Sequence, residues 1–303
     1  MCNDKGRWLP QALMDALICP RCGGSVQQRH VSDLVCQACQ TEYPVKDGIV
    51  LLCEDYEAIT RNIKGGLTDR KNWYVSDQIR SVDEGHYRHH IKKRIVYLEE
   101  MFERLNLQQP KILDAGCGDG ANLRHLLRIN GATVYGSDYN FLRLTRAKKL
   151  FGASAYLFLG SLLENNIKDN FLDLVFCSHV LEHIQDDLTV LRNLHRVLKP
   201  GGTLILGVPN EGAWLWLLDY HVFERYILQR TDHVHFYTRD VLLRLLTNVG
   251  FDVQETKYLG WGIPVQFLDA QLRQFKWIDD LFELIGKRLC ESQATSMYFI
   301  CQK

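Results

Sequence analysis

The sequence predicts an α/β chain: a doubly wound, mostly parallel sheet of seven strands, preceded by a small cysteine-rich domain. Three observations carry that prediction. After residue 110, short apolar runs alternate with helix-like stretches, the pattern of parallel strands joined by crossover helices. The stretch KILDAGCGDGANL, residues 111–123, sets three glycines directly behind the first such run. Two C-x-x-C pairs fall within the first 39 residues.

In chain order, residues 1–53 are turn-rich and hold the cysteine pairs. Residues 54–72 are polar, contain a Gly-Gly pair and predict a linker; 73–303 form the large domain. From Trp73 to Leu107 the pattern is helical, with Ile91, Ile95, Leu98, Met101, Phe102 and Leu105 on one face. Strands are expected at KILDAG, ATVYGSD, AYLFLG, LDLVFCS and GTLILGVP, with helices at 121–130, 140–151 and 186–198. FDVQETKYLG and SMYFICQK close the chain as two more strands.

Composition narrows the function. Lys+Arg and Asp+Glu are equal at 36 each, so there is no basic excess with which to grip nucleic acid generically. The first ten residues lack the apolar core of a signal segment, and the apolar runs near 213–218 and 174–177 are far short of a membrane span. Of ten cysteines, four lie in the two pairs and six are scattered through apolar stretches. That usage predicts a cytoplasmic protein with a metal site and ordinary buried thiols. Nothing in the sequence speaks to oligomeric state.

Cys19 and Cys22, then Cys36 and Cys39, are separated by thirteen residues. Each C-x-x-C turn aims two thiolates at one point, and two such turns complete a tetrahedral sulfur shell of the kind zinc favours. A closed shell leaves no position for substrate, so a structural role is expected. The segment through residue 55 carries five basic and seven acidic side chains, a poor nucleic-acid clamp.

The glycine loop follows a strand and precedes a helix, where glycine permits a tight turn and close approach of a ligand. Asp138 ends the second strand, 24 positions after Asp114, where a carboxylate can take both ribose hydroxyls. The dinucleotide spacing G-x-G-x-x-G is absent; the spacing here is G-x-G-x-G. With LDAGCGDG, FLDLVFCSHVLEHI and RVLKPGGTLILGVPN, residues 73–303 resemble the class I S-adenosylmethionine-dependent methyltransferases, and the resemblance implies a Rossmann-like sheet. It further implies that Asp114 and the loop of Gly116, Cys117, Gly118 and Gly120 hold the methionine end of the cofactor. Asp138, with Tyr139 beside it, takes the ribose. Ser161, with Leu162, stands where an acid usually flanks the adenine; Ser178 and His179 come at the mouth of the site. Arg94, on the helix before the sheet, is a candidate partner for the cofactor carboxylate. The cysteine segment, continuing through YPVKDGIVLL, resembles the small zinc-ribbon activators that partner tRNA, rRNA and release-factor methyltransferases, here fused in one chain.

Methyl transfer from a sulfonium is an in-line displacement, so positioning supplies much of the rate and a base is needed only where the acceptor must lose a proton. The candidates are His179, His233, His235 and Tyr237. His183 beside Glu182 offers only two metal ligands, thin evidence by itself. Trp214, Trp216, Tyr220, Phe223 and Tyr226 make the segment before His233 unusually aromatic, which predicts a lid over an apolar acceptor. The leading expectation is methyl transfer to O, N or C of a small-molecule or lipid-linked acceptor. The alternatives are an RNA or protein methyltransferase recruiting substrate through the ribbon, and a non-catalytic cofactor-binding scaffold. No N-P-P-Y-like motif follows the fourth strand, where CSHV stands instead.

Overall fold

The computed structural model describes residues 8–53, 89–213, 233–263 and 266–303. The expected linker 54–72 and the helix start at Trp73 lie outside the described residues. In chain order the first elements are α1 (Gln11–Ala16), β1 (Val26–His30), β2 (Asp33–Cys36), β3 (Glu42–Lys46), β4 (Ile49–Leu51), α2 (His89–Leu105) and β5 (Lys111–Ala115). Then come α3 (Leu123–Leu126), β6 (Thr133–Asp138), α4 (Phe141–Phe151), β7 (Tyr156–Leu159), β8 (Leu172–Ser178), a 3-10 turn (Leu181–His183) and α5 (Asp187–Val197). The chain closes with β9 (Leu198–Pro209), α6 (Arg239–Val249), β10 (Asp252–Leu259), α7 (Gln266–Leu272), α8 (Lys276–Leu289) and β11 (Ser296–Gln302).

The chain divides into two compact units. The first combines the cysteine-rich segment with Gln108–Phe176 and Arg192–Gly202; the second combines α2, Cys177–Leu191 and Thr203 onward. Within the first unit the strands run in the order β1-β2-β3-β4-β7-β6-β5-β8. From β4 to β8 every pairing is parallel, and from β1 to β4 every pairing is antiparallel. Parallel strands covered on both faces need continuous apolar runs. Ile112 and Leu113, Val134 and Tyr135, and Leu174 to Cys177 supply them, all buried.

The ribbon is welded to this sheet. Val50 of β4 lies opposite Phe158 of β7 and Leu51 opposite Leu159, and the Leu52 N–H donates to the Leu159 carbonyl at 2.8 Å. Ile49 to Leu52 are completely or almost completely buried, so β4 has the composition of an interior strand. It covers an edge of β7 that would otherwise offer unpaired backbone groups. A second seam joins the Ile18 N–H to the Asn166 carbonyl at 3.1 Å and the Lys168 N–H to the Ala16 carbonyl at 3.0 Å. The Tyr135 hydroxyl donates to the Ala12 carbonyl at 3.0 Å.

The seven expected strands correspond to β5 to β11, but the strand count differs from seven: β1 to β4 extend the order to eleven strands. The helix expected at 121–130 contracts to Leu123–Leu126. Beyond it, Arg128 donates to the carbonyl of His125, Ile129 to that of Leu126 and Ala132 to that of Ile129. These three-residue turns bring the chain round at Asn130–Gly131, where Gly131 is left-handed. Asp173 accepts the Lys111 N–H at 2.9 Å and pairs with Lys199 at 2.6 Å.

In the second unit β11 lies between β9 and β10, antiparallel to both. The side-chain amide of Asn210 donates to the Ser292 and Ala294 carbonyls at 2.8 Å each, and the Glu211 N–H donates to the Tyr237 carbonyl at 2.9 Å. Those bonds fix the chain after β9 and, with it, the segment that begins at His233. A cavity of about 580 Å³ beside α2 and α8 is lined by Tyr97, Lys257, Trp261 and Lys287 among others, and contains none of the candidate site residues. Among the described residues, no helix is long and apolar enough to cross a membrane.

Candidate functional site

The first unit builds a cradle at the carboxyl end of β5. Gly116, Gly118 and Gly120 all have positive φ, +80°, +53° and +88°. The N–H groups of Gly116 and Cys117 both donate to the Ser137 carbonyl, at 2.8 and 2.9 Å, and Gly120 closes a turn onto Cys117. Gly118 has left-handed backbone that disfavours other residues, and a Cβ there would displace the Arg143 guanidinium.

Asp138 secures the cradle. Its two oxygens accept the N–H groups of Gly118 and Asn140, each at 2.8 Å. Burial raises its pKa, opposed by the Arg143 charge and by those two N–H groups. A carboxylate has about four acceptor sites, so both oxygens can still accept hydroxyls. Asp114 is buried, and among the described residues its Oδ2 has no hydrogen-bond partner. Burial, reinforced by the Asp138 charge, pushes its pKa up to about 8. A buried carboxyl left without a partner is an acceptor waiting for a donor or a cation. The glycine turn, the orphaned Asp114 oxygen and Asp138 thus fit a cofactor carrying an ammonium group and a ribose.

Asp119 lies between Arg143, at 3.4 Å, and Arg146, at 3.5 Å, and ties the loop to α4. Sequence reading missed Arg143 and Arg146, whose only local signal is their place on the helix after Asp138. Tyr139 is 44% exposed. The Ser161 hydroxyl accepts the Leu163 N–H at 3.2 Å, and its carbonyl accepts the Asn166 amide at 2.7 Å. The Leu162 carbonyl accepts the Asn193 amide at 2.9 Å.

The second unit assembles the histidines. His179 follows β8 with φ +56°, a strained conformation for a residue with a Cβ. Its N–H donates to the Gly207 carbonyl at 2.8 Å; its Nδ1 lies 3.5 Å from Glu182, and its Nε2 is buried without a hydrogen-bond partner among the described residues. The Ser178 hydroxyl is hydrogen-bonded to the Tyr298 hydroxyl at 3.0 Å. The Glu182 carbonyl accepts the N–H groups of Val234 and His235, at 2.8 and 3.2 Å, which draws His233 against His183 with ring centroids 5.0 Å apart. His235 Nε2 lies 3.0 Å from the Gln185 carbonyl. Tyr237 is buried and donates its hydroxyl to Asp187 at 2.8 Å; burial, then that bond, raises its pKa. His235 and Tyr237 therefore have partners in the scaffold, whereas His179 keeps a free nitrogen.

The four candidate cysteine ligands converge, with sulfurs 3.4 Å (Cys22–Cys36) and 3.6 Å (Cys19–Cys39) apart and all four within 4.8 Å of one another. A tetrahedral shell with metal–sulfur bonds of about 2.3 Å sets sulfurs about 3.8 Å apart. The donors match zinc, and the Tyr43 hydroxyl and the Thr41 hydroxyl lie 3.0 and 3.1 Å from Cys19 and Cys39. A Cβ at Gly24 would stand 3.1 Å from the Cys36 sulfur and 3.2 Å from that of Cys22, so the turn needs glycine to let the thiols meet.

The Arg94 side chain and the aromatic lid residues Trp214, Trp216, Tyr220, Phe223 and Tyr226 lie outside what the structure describes.

A glycine cradle at the end of the first parallel strand, with buried carboxyls on the first and second strands, defines a nucleoside-cofactor enzyme. Residues 85–256 match the family model described as methyltransferase domain, and the chain belongs to that family; residues 11–48 match the Trm112p-like protein family. The chain is 27% identical over 194 residues to a ubiquinone biosynthesis O-methyltransferase of Pseudomonas syringae, covering 57% of this chain and 82% of that one. It is 29% identical over 158 residues to a sterol 24-C-methyltransferase of Yarrowia lipolytica, covering 48% of this chain and only 40% of that one. In fold it is similar to a complex of the Haloferax volcanii Trm112 methyltransferase activator with a candidate methyltransferase (TM-score 0.52, 15% identity, 81% of this chain and 94% of that one). A methyltransferase from Mesorhizobium loti has a TM-score of 0.51 at 17% identity over 67% of this chain and 96% of that one. The chain is an S-adenosylmethionine-dependent methyltransferase with a zinc-ribbon segment.

Proposed function

We propose that this methyltransferase acts on a hydroxyl of a small-molecule or lipid-linked acceptor, with His179 as the base. The single observation that carries the reading is His179 itself: a strained residue with one ring nitrogen beside a buried glutamate and the other buried without a hydrogen-bond partner among the described residues. A carboxylate 3.5 Å from one ring nitrogen stands where it can orient the imidazole, with the other nitrogen turned away from it. The name of the ubiquinone relative, an O-methyltransferase, also supports an oxygen acceptor.

Bound S-adenosylmethionine supplies an electrophilic methyl group on its sulfonium. Asp114 would hold its ammonium end and Asp138 its ribose hydroxyls, and the glycine loop would let it approach the backbone. His179 takes the acceptor's hydroxyl proton as the oxygen–carbon bond forms and the carbon–sulfur bond breaks, releasing S-adenosylhomocysteine.

The test is transfer of labelled methyl from S-adenosylmethionine into a cell extract fractionated into small molecules, lipids, RNA and protein. Label in the first two fractions, released as an ether-linked methyl, is the expected result. Label in RNA or protein would overturn it and support a second reading, favoured by the likeness of residues 11–48 to methyltransferase activators, in which the ribbon recruits a macromolecule.

A further inference from the structure

We infer that Glu182, His183 and His233 form a second metal site, for a divalent cation of the zinc, manganese or ferrous class, separate from the four-thiolate site. One ligand atom from each lies within 4.8 Å of the other two. Metal–nitrogen and metal–carboxylate bonds of about 2.0–2.2 Å set tetrahedral donors about 3.4 Å apart, so closing the shell draws the side chains together by up to roughly 1.4 Å.

The second observation is the state of Glu182. Its side chain is 1% exposed, and among the described residues neither carboxylate oxygen accepts a hydrogen bond. Its neighbours are imidazole nitrogens, His179 Nδ1 at 3.5 Å and His183 Nε2 at 3.8 Å, too long for firm bonds. A buried carboxylate left this way is costly, and a cation held jointly with two imidazoles removes the cost.

The scaffold suits the task. The 3-10 turn Leu181–His183 sets Glu182 and His183 side by side, and the two N–H bonds to the Glu182 carbonyl deliver His233 from 50 residues away. Glu211 Oε1 lies 3.8 Å from His233 Nδ1, the position of an outer carboxylate that orients a ligating imidazole. Three protein ligands leave at least one coordination position open, unlike the cysteine shell. That position takes an oxygen of the acceptor, and a metal-bound hydroxyl gives up its proton more readily. The acceptor class is thereby narrowed to molecules with a metal-coordinating oxygen beside or at the methylated position. This last step rests on the proposed hydroxyl acceptor; the binding of the cation does not.

The experiment is metal content per full-length chain after exposure to Zn²⁺ and exchange into metal-free buffer, repeated with Co²⁺. The expected result is two equivalents in the natural protein and one in His183→Ala and His233→Ala. Thiolate-to-cobalt charge-transfer bands and S-adenosylhomocysteine affinity should be unchanged in both. Glu182→Gln, which keeps the volume of the side chain, should also bind one and decides the matter if either alanine variant misfolds. One equivalent in the natural protein, or two in all three variants, overturns the inference. No turnover is read, so failure of the hydroxyl-acceptor reading would show separately, as label in the wrong fraction.

Discussion

Two clusters of ligating side chains can be set side by side. The four cysteines span 21 residues, Cys19 to Cys39, and meet through two local turns; Glu182, His183 and His233 meet across 50 residues through a backbone contact. The cysteine sulfurs crowd to 3.4–3.6 Å with hydroxyls from Tyr43 and Thr41 around them, a shell complete in itself. The Glu182 group is different: among the described residues its carboxylate is buried without a hydrogen bond, and a cation held by these three donors would have a position open. The contrast teaches that closure separates a structural site from a reactive one, and that closure is written into local spacing while openness is a property of the surrounding fold.

The largest expected effect lies in the closed site. Cys36→Ser should abolish ribbon metal binding, and structural zinc contributes on the order of 10 kcal/mol or more in small zinc modules. Because β4 pairs with β7, the damage should spread beyond the ribbon. Hydrogen exchange should show the Leu52 and Ile18 amides losing protection; unchanged protection would mean that the ribbon holds its place without metal.

In the open site His179→Ala should lower kcat by about 10²–10⁴-fold, the usual worth of a general base, with S-adenosylhomocysteine affinity unchanged. An unchanged kcat would remove the base and leave positioning alone. Asp138→Ala should come next, weakening S-adenosylhomocysteine binding by roughly tenfold to a hundredfold in calorimetry, since two loop N–H bonds are lost with the ribose contact.

Asp114 sharpens the comparison through pH. Its carboxyl keeps its proton to about pH 8 in the folded chain, against 3.8 unfolded. Between those values the folded state binds the extra proton, so its contribution to stability falls as pH rises. Asp114→Asn should flatten thermal stability against pH in that window while cofactor binding weakens; parallel profiles for the two proteins would refute the assignment. The smallest effect should be Tyr237→Phe, which removes one hydrogen bond to Asp187 and about 1 kcal/mol of stability, read as a shift in the melting midpoint with kcat kept.

Much of the fold was legible because its signals are short-range. Leu172–Ser178 as a strand, Phe141–Phe151 and Asp187–Val197 as helices, and the glycine turn behind β5 follow from patterns a few residues long. The helix at 121–130 was overextended because nothing in its apolar spacing registers the tightening toward Asn130–Gly131. The histidines were singled out by type alone. That His235 and Tyr237 have scaffold partners while His179 keeps a buried free nitrogen depends on Gln185, Asp187 and Glu182, which reach them only through folding.

The sequence by itself therefore determined the class of the protein: four thiols at turn spacing, a glycine loop behind an apolar strand and an acid at the end of the next. Each is a local geometry that a few neighbouring residues impose whatever the rest of the chain does. Only the tertiary structure decided that β4 seals the open edge of β7, that among the described residues Asp114 Oδ2 and the Glu182 carboxylate are buried without a hydrogen bond, and that His233 comes to His183. Those facts arise from burial and from contacts between distant segments, and no pattern along the chain encodes which buried polar group will find a partner and which will be left for a ligand.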